Sequence, residues 1–217
     1  MSYFKKEGGI DMSQLRVCRM SNDRMIFYDA IKALDEISYL TYYMKYQLAP
    51  VIMGVKPAIT LNIGKKQEKK YSKVKILKVI ESLGLKGMIL RDTPNGHIVL
   101  AYRCCQMEQI LKQEEVAAVL QNMGYPVHSI YLALSHLRKR YDYCHCPPEL
   151  GIFLGFPVED VKDYMCGTQK KCLLCGYWQV YNDVEGAEKI FSQYDEAKNT
   201  MLNNLLSELK KKLGIYF

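Results

Sequence analysis

The sequence predicts an α+β, or mixed α/β, fold: a small mixed or antiparallel sheet of three to five strands covered by helices, with a long C-terminal helix. Three observations predict it. Residues 87–103 hold MILRDTPNGHIVLAYR, in which two short apolar runs flank Pro94, Asn95 and Gly96. Asn-Gly accepts positive φ, so this is the signature of an antiparallel hairpin. Apolar residues recur at three- and four-residue spacing in several other stretches, as helices that cover a sheet require. Finally, DVEGAEKIFSQYDEAKNTMLNNLLSELKKKL, opening at Asp183, is one long amphipathic helix with Asn182 and Asp183 available as caps.

Residues 1–20 carry Gly8, Gly9 and many polar side chains and read as a flexible N-terminal tail, leaving 21–217 as a single α+β domain. A helix is expected to start near Ser21 to Asp23 and to run through Ile26, Ala30, Leu34, Ile37 and Leu40, with Tyr39, Tyr42, Tyr43 and Tyr46 on it or on a later helix until Pro50 interrupts the ladder. Pro50, Gly54 and Pro57 break the chain before a strand over Ala58 to Ile63. Lys56 sits in that broken stretch, where a turn lysine either meets an anion or is simply solvated. From Lys69 to Leu83 a basic amphipathic helix buries Val74, Ile76, Leu77 and Ile80 and ends at Gly84. Beyond the hairpin, one helix over Met107 to Met123 ends at Gly124, and another runs from Ile130 to Tyr141.

A chain of 217 residues buries enough surface to fold without disulfides or metals. No apolar run reaches the roughly 20 residues of a membrane span, and the first residues lack the apolar core of a signal peptide, so the expectation is a cytoplasmic protein without a membrane partner. The net charge of +7 comes mainly from two short lysine runs interleaved with acidic residues. No concave or helical face of arginine and aromatic side chains accompanies them, which argues against nucleic acid as a partner. The 17 tyrosines suggest half-buried rings between layers or a tyrosine-lined pocket.

Residues 144–181 form a cysteine-rich loop region with five of the eight cysteines. Cys172 and Cys175 are spaced C-x-x-C, and Cys144 with Cys146 offers a second pair. The four thiolates are a candidate zinc or iron–sulfur ligand set, against the alternative of plain packing cysteines. Between the pairs, PPELGIFLGFPVEDVKDYM reads as a short helix, a stop at Gly155 and a helix opening at Pro157, whose Glu159 and Asp160 suit a helix N-terminus. Glu149, beside Pro147 and Pro148, is either an acid or base near the loop or another helix-start carboxylate. Gly176 to Tyr181 alternates as a strand, with Tyr177, Gln179 and Tyr181 opposite Trp178 and Val180.

The segments LAPVIMGVKPA, PELGIFLGFPVEDV and CGYWQVYNDVEGAEKIFSQYDEAK resemble an uncharacterised bacterial family, largely of anaerobic Firmicutes, catalogued as domain of unknown function number 3793. The resemblance spans roughly residues 25–200. The family pattern has a histidine and a cysteine where this chain has Gln47 and Leu48, and a histidine where it has Pro148. The resemblance leaves Lys56, Glu149, Gly151, Gly155, Tyr177, Trp178 and Tyr181 as the matching positions, and it implies no catalytic residues.

Three functions are compatible with these features. The first is a ligand- or partner-binding accessory protein whose 147–157 loops meet the GYWQVY strand, enclosing a pocket lined by Tyr177, Trp178 and Tyr181, with Lys56 and Glu149 as further contacts for a small molecule or protein partner. The second is a metal- or iron–sulfur-dependent enzyme or redox protein using Cys144, Cys146, Cys172 and Cys175. The third is a structural protein that forms a homodimer or larger oligomer through its last helix.

Overall fold

A computed structural model describes residues 12–64, 71–167 and 169–214, with side chains from residue 22 onward. Helix α1 spans Met12–Lys32 and α2 Glu36–Gln47. The first helix therefore begins about ten residues before the Ser21 to Asp23 start that the sequence suggested, while the first eleven residues of the predicted tail lie outside the described residues. The break between α1 and α2 is made by Asp35, whose carboxylate accepts from the Ile37 and Ser38 amides and starts a new helix. Helix α3, Ala49–Ile52, carries Pro50 in its first turn, where a missing N–H costs nothing.

Strand β1 (Ala58–Gly64) pairs with β3 (Gly96–Tyr102), and β3 pairs with β2 (Lys86–Thr93), giving an antiparallel sheet of order β1-β3-β2. The hairpin forms where the sequence predicted it, but its turn is Pro94–Asn95 with Gly96 already paired to Thr93, and neither Asn95 nor Gly96 takes the positive φ expected of Asn-Gly. A register shift between Ile89 and Arg91 turns Leu90 into the core.

Both faces of the central strand are covered, so alternate residues enter different cores. Val99 and Ala101 join Leu61, Ile63, Leu40, Met44 and helix α4 (Lys73–Ser82) on one face. Leu100 faces the other way, toward α5 (Cys104–Lys112), α6 (Glu114–Asn122), α7 (Ile130–Tyr143), α8 (Leu150–Phe153) and α9 (Val158–Met165). Two expectations change here. Val74 is exposed, because at 100° per residue it points away from the stripe of Ile76, Val79 and Ile80. The helix predicted over Met107 to Met123 is two helices, since Gln113 adopts extended backbone and swings α6 so that Val116 and Leu120 reach the core already holding Leu111.

A two-stranded antiparallel hairpin, β4 (Leu174–Cys175) and β5 (Gln179–Val180), follows α9. Helix α10, Val184–Leu213, is capped by Asp183, which accepts from the Gly186 amide. Its early turns hold the hairpin through Ala187 and Tyr194, and its later turns bury Leu202, Leu205 and Leu209 against Phe27 and Ile31 of α1. The fold is thus mixed α/β with three plus two strands, as the sequence predicted. Among the described residues no helix is long and apolar enough to cross a membrane.

Candidate functional site

Three turns and one helix converge beside the small hairpin. The first turn follows α3, where the Val55 and Lys56 amides both donate to the Pro50 carbonyl, at 2.9 and 3.0 Å. Arg103 clamps this turn, its Nε donating to the Val51 carbonyl at 2.5 Å and its Nη2 to that of Ile52, while Gln106 Nε2 reaches the Gly54 carbonyl at 2.7 Å. The second turn, Gly155–Phe156–Pro157, lies directly on the first. Gly155 has φ +77°, and a Cβ there would stand 2.6 Å from Pro57 Cγ, so a side chain would force the two turns apart. The hairpin tip, Gly176–Tyr177–Trp178, sits equally close to α10, since a Cβ on Gly176 would fall 2.1 Å from the Phe191 ring.

A hairpin of two strands has little stability of its own. Asp160 fastens it. This buried carboxylate accepts from Trp178 Nε1 at 2.8 Å, from the Tyr181 and Asn182 amides at 3.0 and 3.1 Å, and from Asn182 Nδ2 at 2.9 Å. The helix-start role that the sequence suggested for Asp160 misses this, because its four donors lie on a segment that returns only after α9.

The strand expected from Gly176 to Tyr181 is only β5, and Trp178 sits in the bend before it, but the 147–157 loops and the Trp178 segment do meet. Between them lies a recess of about 270 Å³, lined by Pro147, Leu150, Leu154, Phe156, Val161 and Trp178, with Cys146, Tyr164 and Gln179 also on its wall. Trp178 is 8% exposed and stacks on Phe156, with ring centroids 5.1 Å apart. Tyr177 and Tyr181 are not among the lining residues. Tyr177 points to α10, where it meets Phe191 and Tyr194 and donates to Asp195 at 2.7 Å. Tyr181 donates its hydroxyl to Gln179 at 2.6 Å. Tyr177 and Trp178 lie in the bend that joins β4 to β5, and their rings leave it toward α10 and toward the recess respectively.

Lys56 is not a solvated turn lysine. It is 5% exposed, and its Nζ lies 4.9 Å from the ring centroids of Phe156 and Tyr194 and 5.5 Å from that of Tyr177. Lys198, one turn past Tyr194, places its own Nζ 5.1 Å from the Tyr177 ring. Burial and the neighbouring Lys198 charge push the Lys56 ammonium down to about 8. Phe156, Tyr194 and Lys198 escaped the sequence reading, in which each is an ordinary core or helix-face residue.

Glu149 belongs to a different cluster. It is completely buried, and its Oε1 accepts from Tyr125 at 2.7 Å and from Arg140 Nε at 2.8 Å. Burial alone would raise this carboxyl, but the Arg140 and Tyr125 hydrogen bonds hold it below the usual carboxylate range. Glu149 does stand at the start of α8, as the helix-start reading expected, but its carboxylate makes no cap bond there and is not part of the recess wall.

The cysteines divide. Cys172 and Cys175 bring their sulfurs to 2.9 Å. Among the described residues no three His, Cys, Asp or Glu side chains gather as metal ligands, so Cys144, Cys146, Cys172 and Cys175 do not form one four-sulfur site in this structure. A second cleft, of about 300 Å³ beside β2 and α7, is polar, and its charges answer one another: Lys73 bonds Asp92 at 2.8 Å and Arg91 contacts His145 at 2.5 Å.

No curated protein and no solved structure matches the chain. A family model does match, over residues 44–213, a span that contains the lysine turn, the recess, the hairpin and α10. The chain therefore belongs to the family described as "Protein of unknown function (DUF3793)".

Proposed function

We propose that this protein binds a small, flat, largely apolar molecule in the recess between α8, α9 and the hairpin. The observation that carries the reading is the stacked Phe156–Trp178 pair forming one wall of a mostly apolar hollow of about 270 Å³. That volume lies at the lower edge of small-molecule sites, which sets the ligand at a single ring or a short acyl group. Aromatic walls recognise ring faces through offset stacking. Cys146, Tyr164 and Gln179 supply the polar groups that would orient such a ligand. For about ten heavy atoms at roughly 0.5 kcal/mol each, binding is worth about −5 kcal/mol, a Kd of about 0.2 mM.

Trp178 is the single tryptophan, so its fluorescence reads this wall alone. Titration with 4-nitrobenzyl alcohol, a neutral ring that quenches indole emission, is expected to give saturable quenching near that Kd. Leu154→Phe, which fills the hollow, is expected to abolish saturation with the circular dichroism spectrum unchanged. Linear collisional quenching, the same in both proteins, would overturn the reading.

A second reading, a redox protein, is favoured by the Cys172–Cys175 contact. Two exposed thiols in hydrogen-bond contact are preorganised for a disulfide. Treatment with oxidised glutathione is expected to join this pair by thiol–disulfide exchange: the S–S bond of glutathione breaks, the Cys172–Cys175 bond forms, and the two thiol protons leave on the two reduced glutathione molecules released. Peptide mass mapping checks it, and glutathione mixed disulfides on both cysteines instead of a bridge would argue against the reading.

A further inference from the structure

We propose that Lys56 is a carbonyl-reactive amine that forms an imine with a small 2-oxo acid, whose carboxylate is received by Lys198. The site is separate from the recess and goes beyond the binding function assigned to it. Lys56 does not line that hollow, and Phe156 is the one residue whose ring serves both.

A buried ammonium is normally paired, because taking an isolated charge out of water is expensive. Among the described residues Lys56 Nζ has no carboxylate or other hydrogen-bond acceptor; its neighbours are the three rings and a second lysine that shares the Tyr177 ring. Ring faces attract an ammonium, by about 0.5–2 kcal/mol each, but they accept no proton and carry no charge to neutralise it. A desolvated lysine beside another cation is the arrangement that turns a side-chain amine into a nucleophile at neutral pH. With its ammonium at about 8, roughly a tenth of Lys56 is free base at pH 7, against about one part in three thousand for an ordinary lysine.

The same geometry selects the substrate class. Lys198, part-buried on α10, is the charge that acts on Lys56, and it in turn feels the Asp195 carboxylate, which accepts from the Tyr177 hydroxyl, and the Arg24 guanidinium. Lys56, Lys198 and Arg24 together outnumber the one carboxylate, so an incoming anion is favoured over a cationic substrate. The tight enclosure of Lys56, 5% exposed, favours a small partner. The reaction balances without a co-reactant. The Nζ lone pair attacks the carbonyl carbon, the C–O bond breaks, and the oxygen leaves as water with the two amine protons. Arg103 and Gln106, by clamping the turn that bears Lys56, are positioning residues for this step.

The test uses the intact protein at pH 7 with glyoxylate and cyanoborohydride, which traps an imine as a stable carboxymethyl-lysine, read lysine by lysine through peptide mass mapping. Lys56 is expected to be labelled at least about tenfold faster than exposed Lys112 or Lys189, in spite of its burial. Acetaldehyde, which lacks a carboxylate, is the comparison. In Lys198→Met the preference of Lys56 for glyoxylate over acetaldehyde is expected to vanish. Labelling of Lys56 no faster than of Lys189 would overturn the proposal, and that outcome needs no variant to fold. Equal labelling by the two aldehydes in the unaltered protein would overturn the part assigned to Lys198.

Discussion

Replacing Arg140 with methionine is expected to lower the unfolding free energy by about 3–5 kcal/mol, more than any change to its partner Glu149. The two ends of this ion pair are unequally buried. The Arg140 side chain is 40% exposed and the Glu149 side chain fully enclosed. When Glu149→Gln removes the carboxylate, the guanidinium turns to water and the amide still bonds Tyr125. When Arg140 is removed, a carboxylate stays in the interior with one oxygen, Oε2, already without a partner among the described residues. Glu149→Gln is therefore expected to cost less than half as much, and the double variant to be more stable than Arg140→Met alone.

The pH dependence separates the cases by sign. In the unaltered protein the Glu149 carboxyl titrates below its unfolded value, so its contribution is present above that value and is lost as pH falls through the lower, folded one. In Arg140→Met, with the compensating hydrogen bond gone, burial raises the carboxyl, and stability should increase as pH falls toward 5. Urea unfolding at pH 7 and pH 5 checks both statements. Parallel behaviour of the two proteins would refute the assignment of the buried charge to Glu149.

Lys56→Met gives the second large effect. The Lys56 ammonium, at about 8 in the folded protein and about 10.5 when unfolded, binds its proton less well in the fold. The unfolded chain thus holds more protons between these values, and stability from this group rises with pH across that window. The penalty that the charged lysine imposes at pH 7 shrinks by about 2 kcal/mol by pH 9.5. Methionine does not titrate. The stability gap between Lys56→Met and the unaltered protein should therefore move by about 2 kcal/mol in favour of the lysine over that interval. Taking the difference cancels the groups that titrate alike in both chains. A gap constant with pH would place Lys56 at the ordinary lysine value.

Much of the fold was legible because its signals are local. Pro94 and Asn95 interrupt two apolar runs and make the turn locally, and Asp183 caps α10 with its own carboxylate, so hairpin and last helix appear where the sequence put them. The break at Gln113 has neither glycine nor proline to mark it; it arises from the need of Val116 and Leu120 to reach a shared core. The site was legible only in outline. The loops around Pro147 and the Trp178 segment could be placed together, yet which rings face the recess depends on the bend between β4 and β5, which the alternating pattern of Gly176 to Tyr181 hides. Lys56 looked like a surface turn because everything that encloses it comes from Phe156, Tyr177 and Tyr194, far along the chain. Arg140 and Glu149 are separated by only nine residues, but no helical or strand period brings them together; the Pro147–Pro148 turn does.

Helix α10 is 30 residues long, about 45 Å from end to end. Its first half supplies Tyr194 and Lys198 to the lysine enclosure, and its second half is seated on α1 and α2. The anchor and the chemistry share one rigid rod. A proteolytic cut just beyond Lys198 would leave every residue of the enclosure in the chain while removing what holds the rod in place, so reactivity at Lys56 should report damage done at the opposite end of the molecule.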